Sequence, residues 1–422
     1  MTTSATSSAG LPAELRFRRN AILLWLAQFI SATGDALFLP CLAWLAGRSG
    51  EAESLVGFAV FLAFLPYLFL GPFAGAWVDR SDRRRVMIVS DLLRSLLLVG
   101  VPYLAARLGG MSFGLIVAVG FLLATCSTPF LPARDALLPT LIGRRSLPRW
   151  NALMQTSGQL AMIFGLALGG LLLGGTGGDA PAGAEETERV LRILQLDGLT
   201  FLLSAILLMF MVVPRHVPAS GTRPNLIAEA REGLSYAMGD RVVGGLLILT
   251  ALNNLAIMGP AIVGAALLVQ RTFGLGPGHY AWLEGAMALG MVVGSLVLAT
   301  FGRRWPLRKV VLWGMIMDGL TYLPFIWLPN YELSLVAIAL HGLFIPMIVV
   351  GRTSMIQRHV PPERHGKVFA LVNLTVIGMT AVSAALSGVI AEATSPRMLF
   401  GLAGVFGALC GLLGFRLWRP GD

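Results

Sequence analysis

The chain has 422 residues, 56% of them apolar and only 13% charged, with a mean hydropathy of +0.76. Soluble domains carry roughly a quarter charged residues, so this balance excludes a large water-soluble catalytic domain and leaves room for around a dozen bilayer crossings of about 20 residues. The net charge of +10 has to be tested first as a topology signal, before nucleic acid is invoked.

The N-terminus is polar to about Pro12, and Arg16, Arg18 and Arg19 then precede a mostly apolar run over 20–47. That run is too long for a signal-peptide core and reads as a retained first span. Further runs lie at 54–78, 86–108, 111–133, 150–175 and 193–214, and a second set of six at 242–270, 279–301, 309–329, 333–355, 367–391 and 397–417. The expected fold is therefore an all-α membrane protein of twelve transmembrane helices in two six-helix bundles, 1–214 and 242–422. The segment 215–241 reads as a cytoplasmic amphipathic linker, because Leu226, Ile227, Leu234, Tyr236 and Met238 alternate with Glu229, Arg231 and Glu232. A Gly- and Ala-containing stretch over 175–192, with Glu185, Glu186 and Glu188, suits an outer loop.

With the N-terminus inside, 25 of the 32 Lys and Arg residues fall on the cytoplasmic side, six fall outside, and Arg94 alone lies within a span. This bias sets both termini in the cytoplasm of a multi-pass plasma-membrane protein and accounts for the basic charge without nucleic acid. Cys41, Cys126 and Cys410 lie in apolar stretches without metal-type spacing, so neither disulfides nor a metal centre is expected, and nothing calls for a cofactor.

The halves read as copies. A shift of 218 places Arg134 on Arg352, Arg149 on Lys367, Ala152 and Leu153 on Ala370 and Leu371, and Gly170 on Gly388; a shift of 224 places Arg84, Arg85 and Val86 on Arg308, Lys309 and Val310. After the second span stands Gly75, Ala76, Trp77, Val78, Asp79, Arg80, Ser81, Asp82, Arg83, Arg84, Arg85. This resembles the loop signature of the major facilitator superfamily, with Asp82 where the family usually has a glycine. The resemblance implies a conformational latch built from Gly75, Asp79, Arg80, Arg83 and Arg84. The matching loop of the second half, Gly302 to Lys309, keeps the basic residues and lacks the Asp, so the latch is expected to be asymmetric. The stretch Ser127 to Pro139, with Asn151, Ala152 and Leu153, resembles the branch that holds macrolide-efflux proteins, the enterobactin exporter and lysophospholipid transporters; Gly34, Asp35, Leu39 and Pro40 also fit it. Two departures stand out: residues 111–128 have no charged side chain, and the fifth span keeps Gly165, Gly169 and Gly170 without a proline.

Ionisable groups in lipid cost several kcal/mol unless they line water or pair, so each is a candidate site. Asp35 lies about 15 residues into the first span, near mid-membrane, and is the leading candidate for coupling or cation binding. Asn253 and Asn254 precede Gly259 and Pro260, a polar patch beside an expected helix break. His341, Glu284 and Gln28 complete the candidate cavity set, with Gln155, Gln159 and Asn373 as further amides and Glu284 near enough to the outer end to snorkel. Asp91 and Arg94, three apart, are expected to pair, whereas Asp318 has no obvious partner in the sequence. No Lys or Arg is expected in a cavity-lining span, so neutral, cationic or amphipathic small molecules fit better than polyanions.

No metalloprotease, nucleophile or nucleotide-loop motif is present, so no enzyme activity is expected. The resemblance implies a secondary active transporter, a proton-coupled exporter of an amphipathic drug or siderophore, working as a monomer. A lysophospholipid carrier without strict ion coupling is the alternative, and a transporter-like sensor the remaining one.

Overall fold

The computed structural model describes residues 13–48, 52–78, 80–142, 147–173, 184–213, 226–302, 305–361 and 364–418. Within them every regular element is helical. The first six crossings are α1 (Ala13–Arg48), α2 (Glu53–Val78), α3 (Arg83–Arg107), the pair α4 (Phe113–Ser127) and α5 (Phe130–Leu141), α6 (Leu147–Leu173) and α7 (Ala184–Met209). A linker helix α8 (Leu226–Gly239) leads to the last six. These are α9 (Arg241–Gly259) with its extension α10 (Ala265–Leu267), α11 (Pro277–Phe301), α12 (Leu307–Leu320), α13 (Tyr331–His359), α14 (His365–Ala393) and α15 (Pro396–Leu417). Eleven of these crossings are long and apolar enough to span a bilayer among the described residues, and α6, with its shorter apolar stretch Leu160–Gly169, fills the fifth place.

Local chemistry places the ends. Asp82 caps α3 by accepting from the Arg85 N–H at 3.1 Å, Ser112 caps α4, Asp240 caps α9 and Asn330 caps α13. Two sequence expectations are adjusted. The fourth crossing does not end at 133 but breaks at Thr128 and Pro129 and runs on to Leu141, with Ser127 and Thr128 hydroxyls bonded to carbonyls one turn back. Pro260 does not break the seventh crossing; the turns Pro260–Gly264 and Leu268–Thr272 widen to π geometry and the helix continues to Thr272. A wider turn lets the carbonyls freed by the missing proline N–H find other donors.

The two bundles meet unequally at their two ends. The face that carries α8, the start of α1 and the end of α15 is called the linker face. Asn20 exchanges hydrogen bonds with Val212 there, and Gly245 packs on Trp418. On this face the buried apolar core is split: Leu24, Met87, Leu137 and Leu208 form one cluster, and Leu249, Leu312, Ile356 and Trp418 another. Towards the opposite face one continuous cluster joins both bundles, from Trp44 and Val60 to Leu267 and Phe400. There α2 crosses α14 with backbone on backbone, since a Cβ on Gly57 would run into Ala384 O and one on Gly388 would lie 2.5 Å from Glu53 O. Ser54 N donates to Glu392 Oε2 at 3.0 Å, Gln270 Nε2 donates to Trp44 O at 3.1 Å, and Trp44 stacks on Tyr280 at 6.3 Å. The bundle is thus closed opposite the linker and parted on the linker side.

Candidate functional site

Between the bundles lies a cavity of about 430 Å³ whose walls come almost wholly from α1 to α5, with Ile377 of α14 on the far side. Phe38, Phe64, Tyr67 and Phe130 supply aromatic walls, and Gln28 and Asp35 of α1 supply polar ones. Asp35 is 45% exposed into this space, while Arg94 of α3, 3.4 Å away, is 2% exposed. The accessible charge of the cavity is therefore a carboxylate with a guanidinium held behind it.

Arg94 is fixed from several directions. Its guanidinium stacks on Phe201 at 3.9 Å and Phe130 at 4.8 Å, and its other arm pairs with Asp91, which is wholly buried and takes a further 2.6 Å hydrogen bond from Ser204. The expected pair of Asp91 and Arg94 is present, and Arg94 also reaches Asp35. The expectation that no cationic side chain lines the cavity is corrected accordingly: α3 brings Arg94 to its wall because Asp35 and Asp91 together offset the cost of burying it.

Asp197 of α7, buried against Gly34 next to Asp35 and outside the cavity wall, is a carboxyl that sequence reasoning missed. It is 1% exposed, accepts from Thr200 at 3.3 Å through Oδ1, and its Oδ2 has no hydrogen-bond partner among the described residues. Gly34 makes room for it, since a Cβ there would collide with Asp197 Oδ1 and Thr200 Oγ1. Set by its apolar run alone, the sixth span begins near 193 and leaves Asp197 by the membrane surface; the helix in fact begins at Ala184, which puts Asp197 at mid-depth.

The remaining candidates do not join this cavity. Asn253 and His341 belong to a second, fully enclosed polar cluster in the last six helices. Asn253 Nδ2 donates to Asp318 Oδ2 at 3.3 Å, and His341 Nε2 lies 3.5 Å from Asp318 Oδ1. His341 Nδ1 faces two oxygens at 3.1 Å, Asp318 O and Thr321 Oγ1, and the Thr321 hydroxyl already donates to backbone carbonyls. Nδ1 therefore carries the ring proton and Nε2 is the atom turned to the Asp318 carboxyl. Tyr322 stacks on the imidazole at 4.1 Å. A neighbouring helix thus supplies one donor to Asp318, Asn253 Nδ2 on Oδ2, while Oδ1 has no hydrogen-bond donor among the described residues. Asn254 turns back on Thr250 O, and Glu284 sits half-buried on α11 one turn from Tyr280. Gln155 and Gln159 lie outside the residues whose side chains are described.

In the motif after α2, Arg83 donates to Ala136 O at 2.8 Å and Arg84 to Leu208 O at 2.8 Å and to Met209 O, all within the first bundle. Arg84 thus satisfies the last carbonyls of α7, and Arg83 bonds a carbonyl inside α5. Among the described residues nothing lies within 4 Å of a Cβ built on Gly75, and Arg80 is exposed; Asp79 lies outside the described residues.

A sequence model described as Major Facilitator Superfamily matches residues 24–262 and 246–422. The chain is 28% identical over 414 residues to the multidrug efflux pump Tap of Mycobacterium tuberculosis, covering 95% of this chain and 94% of that one. It is 25% identical over 393 residues to macrolide efflux protein A of Streptococcus pyogenes, covering 90% and 91%. Among solved structures, a bacterial homologue of the iron transporter ferroportin in its inward-facing state matches with a TM-score of 0.72 at 16% identity, covering 95% of this chain and 98% of that one. The outward-facing state of that homologue matches at 0.61, with 17% identity and coverage of 96% and 99%.

Proposed function

Because the chain belongs to the Major Facilitator Superfamily, we propose that it exports an amphipathic small molecule across the plasma membrane in exchange for protons, with the linker face in the cytoplasm. It is a multi-pass membrane transporter and not an enzyme. The observation that carries the finer reading is the aromatic cavity with one solvent-facing carboxylate, Asp35, backed by a buried guanidinium.

A cationic or neutral cargo lies against Phe38, Phe64 and Tyr67 and meets Asp35, whose negative charge is the only one turned to it among the described cavity walls. A proton arriving at Asp35 cancels that attraction, so proton and cationic cargo compete for one group. Competition of this kind couples entry of one to exit of the other when the cavity is open to a single side at a time. Closing the linker face is the part assigned to the motif after α2: Gly75, now facing open space, admits a helix of the second bundle, while Arg80, Arg83 and Arg84 exchange their present partners for groups across the gap.

Flux in reconstituted vesicles with an imposed pH gradient tests this reading, using a macrolide, a siderophore and a lysophospholipid as cargo. Gradient-driven accumulation of the macrolide by the natural chain, abolished in Asp35→Asn with cargo binding still measurable, is the expected result. Equal pH-dependent transport by Asp35→Asn refutes the coupling role. Lysophospholipid movement that persists after the gradient is collapsed would replace it with lipid carriage.

A further inference from the structure

Apart from the central cavity, the structure has a second depression of about 460 Å³, at the water boundary where α8 meets the start of α14. We propose that it binds the phosphate headgroup of an anionic glycerophospholipid. The inference needs only the membrane-spanning fold and is independent of the cargo and of proton coupling.

The donors are arranged for a phosphate. Arg231 of α8 and Arg364, which precedes α14, both line the depression, together with Ser235 and Tyr236. The Tyr236 ring lies 4.4 Å from the Arg364 guanidinium and holds it flat, so little side-chain freedom is lost when a ligand arrives. Glu232 is the one carboxylate in the wall among the described residues, and it is already engaged by Lys367 Nζ at 2.6 Å. That hydrogen bond and the ammonium charge hold the Glu232 carboxyl below its usual range. Neither Arg231 nor Arg364 has an ion-pair partner among the described residues. Two guanidinium groups without a salt-bridge partner among the described residues, one of them Arg364 whose charge also acts on Glu232, and two hydroxyls suit a phosphodiester, and Glu232 held by Lys367 makes the pocket a poorer match for a choline or ethanolamine cation.

The surface beside the donors supplies the lipid half of the argument. Arg231, Leu234, Ser235 and Met238 follow a spacing of three and four residues, so they share one face of α8. Leu234 is 51% exposed and Met238 72%. On the other side of the helix Gly233 and Ala237 are packed inwards, Gly233 against Lys367 and Leu371. An exposed apolar pair one to two turns from paired arginines, on a helix at the membrane boundary, is where acyl chains lie beneath a bound headgroup. A soluble phosphate ester would use the arginines and leave Leu234 and Met238 bare.

Native mass spectrometry of the full-length protein in mixed micelles of phosphatidylglycerol and phosphatidylcholine tests the assignment. The natural chain should retain phosphatidylglycerol, and Arg231→Ala with Arg364→Ala should lose one tightly held molecule, its affinity falling about tenfold for each guanidinium removed. Arg416→Ala, which removes a cation from the same face outside the depression, should leave that molecule in place; an equal loss there would mean diffuse attraction only and overturn the site. Leu234→Ser with Met238→Ser should weaken phosphatidylglycerol and not glycerol phosphate. Displacement of the lipid by excess inorganic phosphate, with no effect of the serine variants, would overturn the lipid assignment in favour of a soluble phosphate. Should the alanine pair fail to fold, Arg231→Lys with Arg364→Lys keeps the charge without the planar fork, and unchanged retention by that pair would contradict the donor geometry proposed here.

Discussion

Arg94 shows how much a single residue organises. Its guanidinium is buried between two aromatic rings and shared by Asp91 and Asp35 on opposite sides, so the first bundle and the cavity charge depend on one side chain. Arg94→Ala strands a wholly buried Asp91, which should cost about 3–5 kcal/mol and appear as a large drop in thermal unfolding temperature of the purified protein. Adding Asp91→Asn should restore most of that stability without restoring transport, because Asp35 still lacks its neighbour. Asp240 gives a pH-dependent counterpart outside the membrane. Burial alone would raise its carboxyl, but the Val243 and Val242 N–H groups at 3.0 Å and His359 Nε2 at 2.9 Å outweigh that and hold it below the usual range. A depressed carboxyl contributes stability above its unfolded value of about 4 and loses it as pH falls through the folded value. Asp240→Ala should therefore cost about 1 kcal/mol at neutral pH and progressively less in acid below about pH 4, read from unfolding curves at several pH values. At this scale the sequence exposed Asp35, Asp91 and Arg94, since charges stand out against lipid-length apolar runs. It did not reveal that Asp35 and Arg94 are neighbours, nor that Asp318 and His341 close on each other, because both contacts join different helices.

At the scale of elements, two glycine sites, the Gly57–Gly388 crossing and Gly75, report the two ends of the transport cycle. Gly57 and Gly388 let α2 and α14 touch on the closed face, where an added Cβ meets backbone that cannot rotate away. Gly388→Ala should force these ends apart and shift the population towards the state open on that face, seen as faster thiol labelling of a cysteine placed at Ala52. Gly75, by contrast, has open space around it. Gly75→Leu should leave the present packing and unfolding temperature nearly unchanged while blocking closure of the linker face, so that cargo binds and flux is lost. Element identity was legible because each crossing needs about 20 apolar residues and each cap leaves a Ser, Asp or Asn mark. The break at Pro129 and the widened turns after Pro260 were not, since a proline alone does not say whether a helix stops, kinks or swells.

For the whole molecule, the repeat of arginines and glycines in two halves already implied two bundles. The state in which they stand was hidden, because the same contacts are possible at either end and only packing selects one. In this structure the apolar core is continuous opposite the linker and split beside it, and inter-bundle bonds from Ser54, Gln270 and Trp44 fall on the continuous side. Alternating exposure of the Asp35 cavity requires a second state with the asymmetry reversed, within a few kcal/mol of this one. Spin-label distance measurements in lipid nanodiscs, on one pair at Ala52 and Thr394 and another at Arg80 and Trp305, test that requirement most directly. Without cargo the first pair should be close and the second far apart; with cargo and a change of pH, a population should emerge in which the first pair has separated and the second has closed. Distributions for both pairs that stay fixed under every condition would contradict alternating access and the transport mechanism built on it.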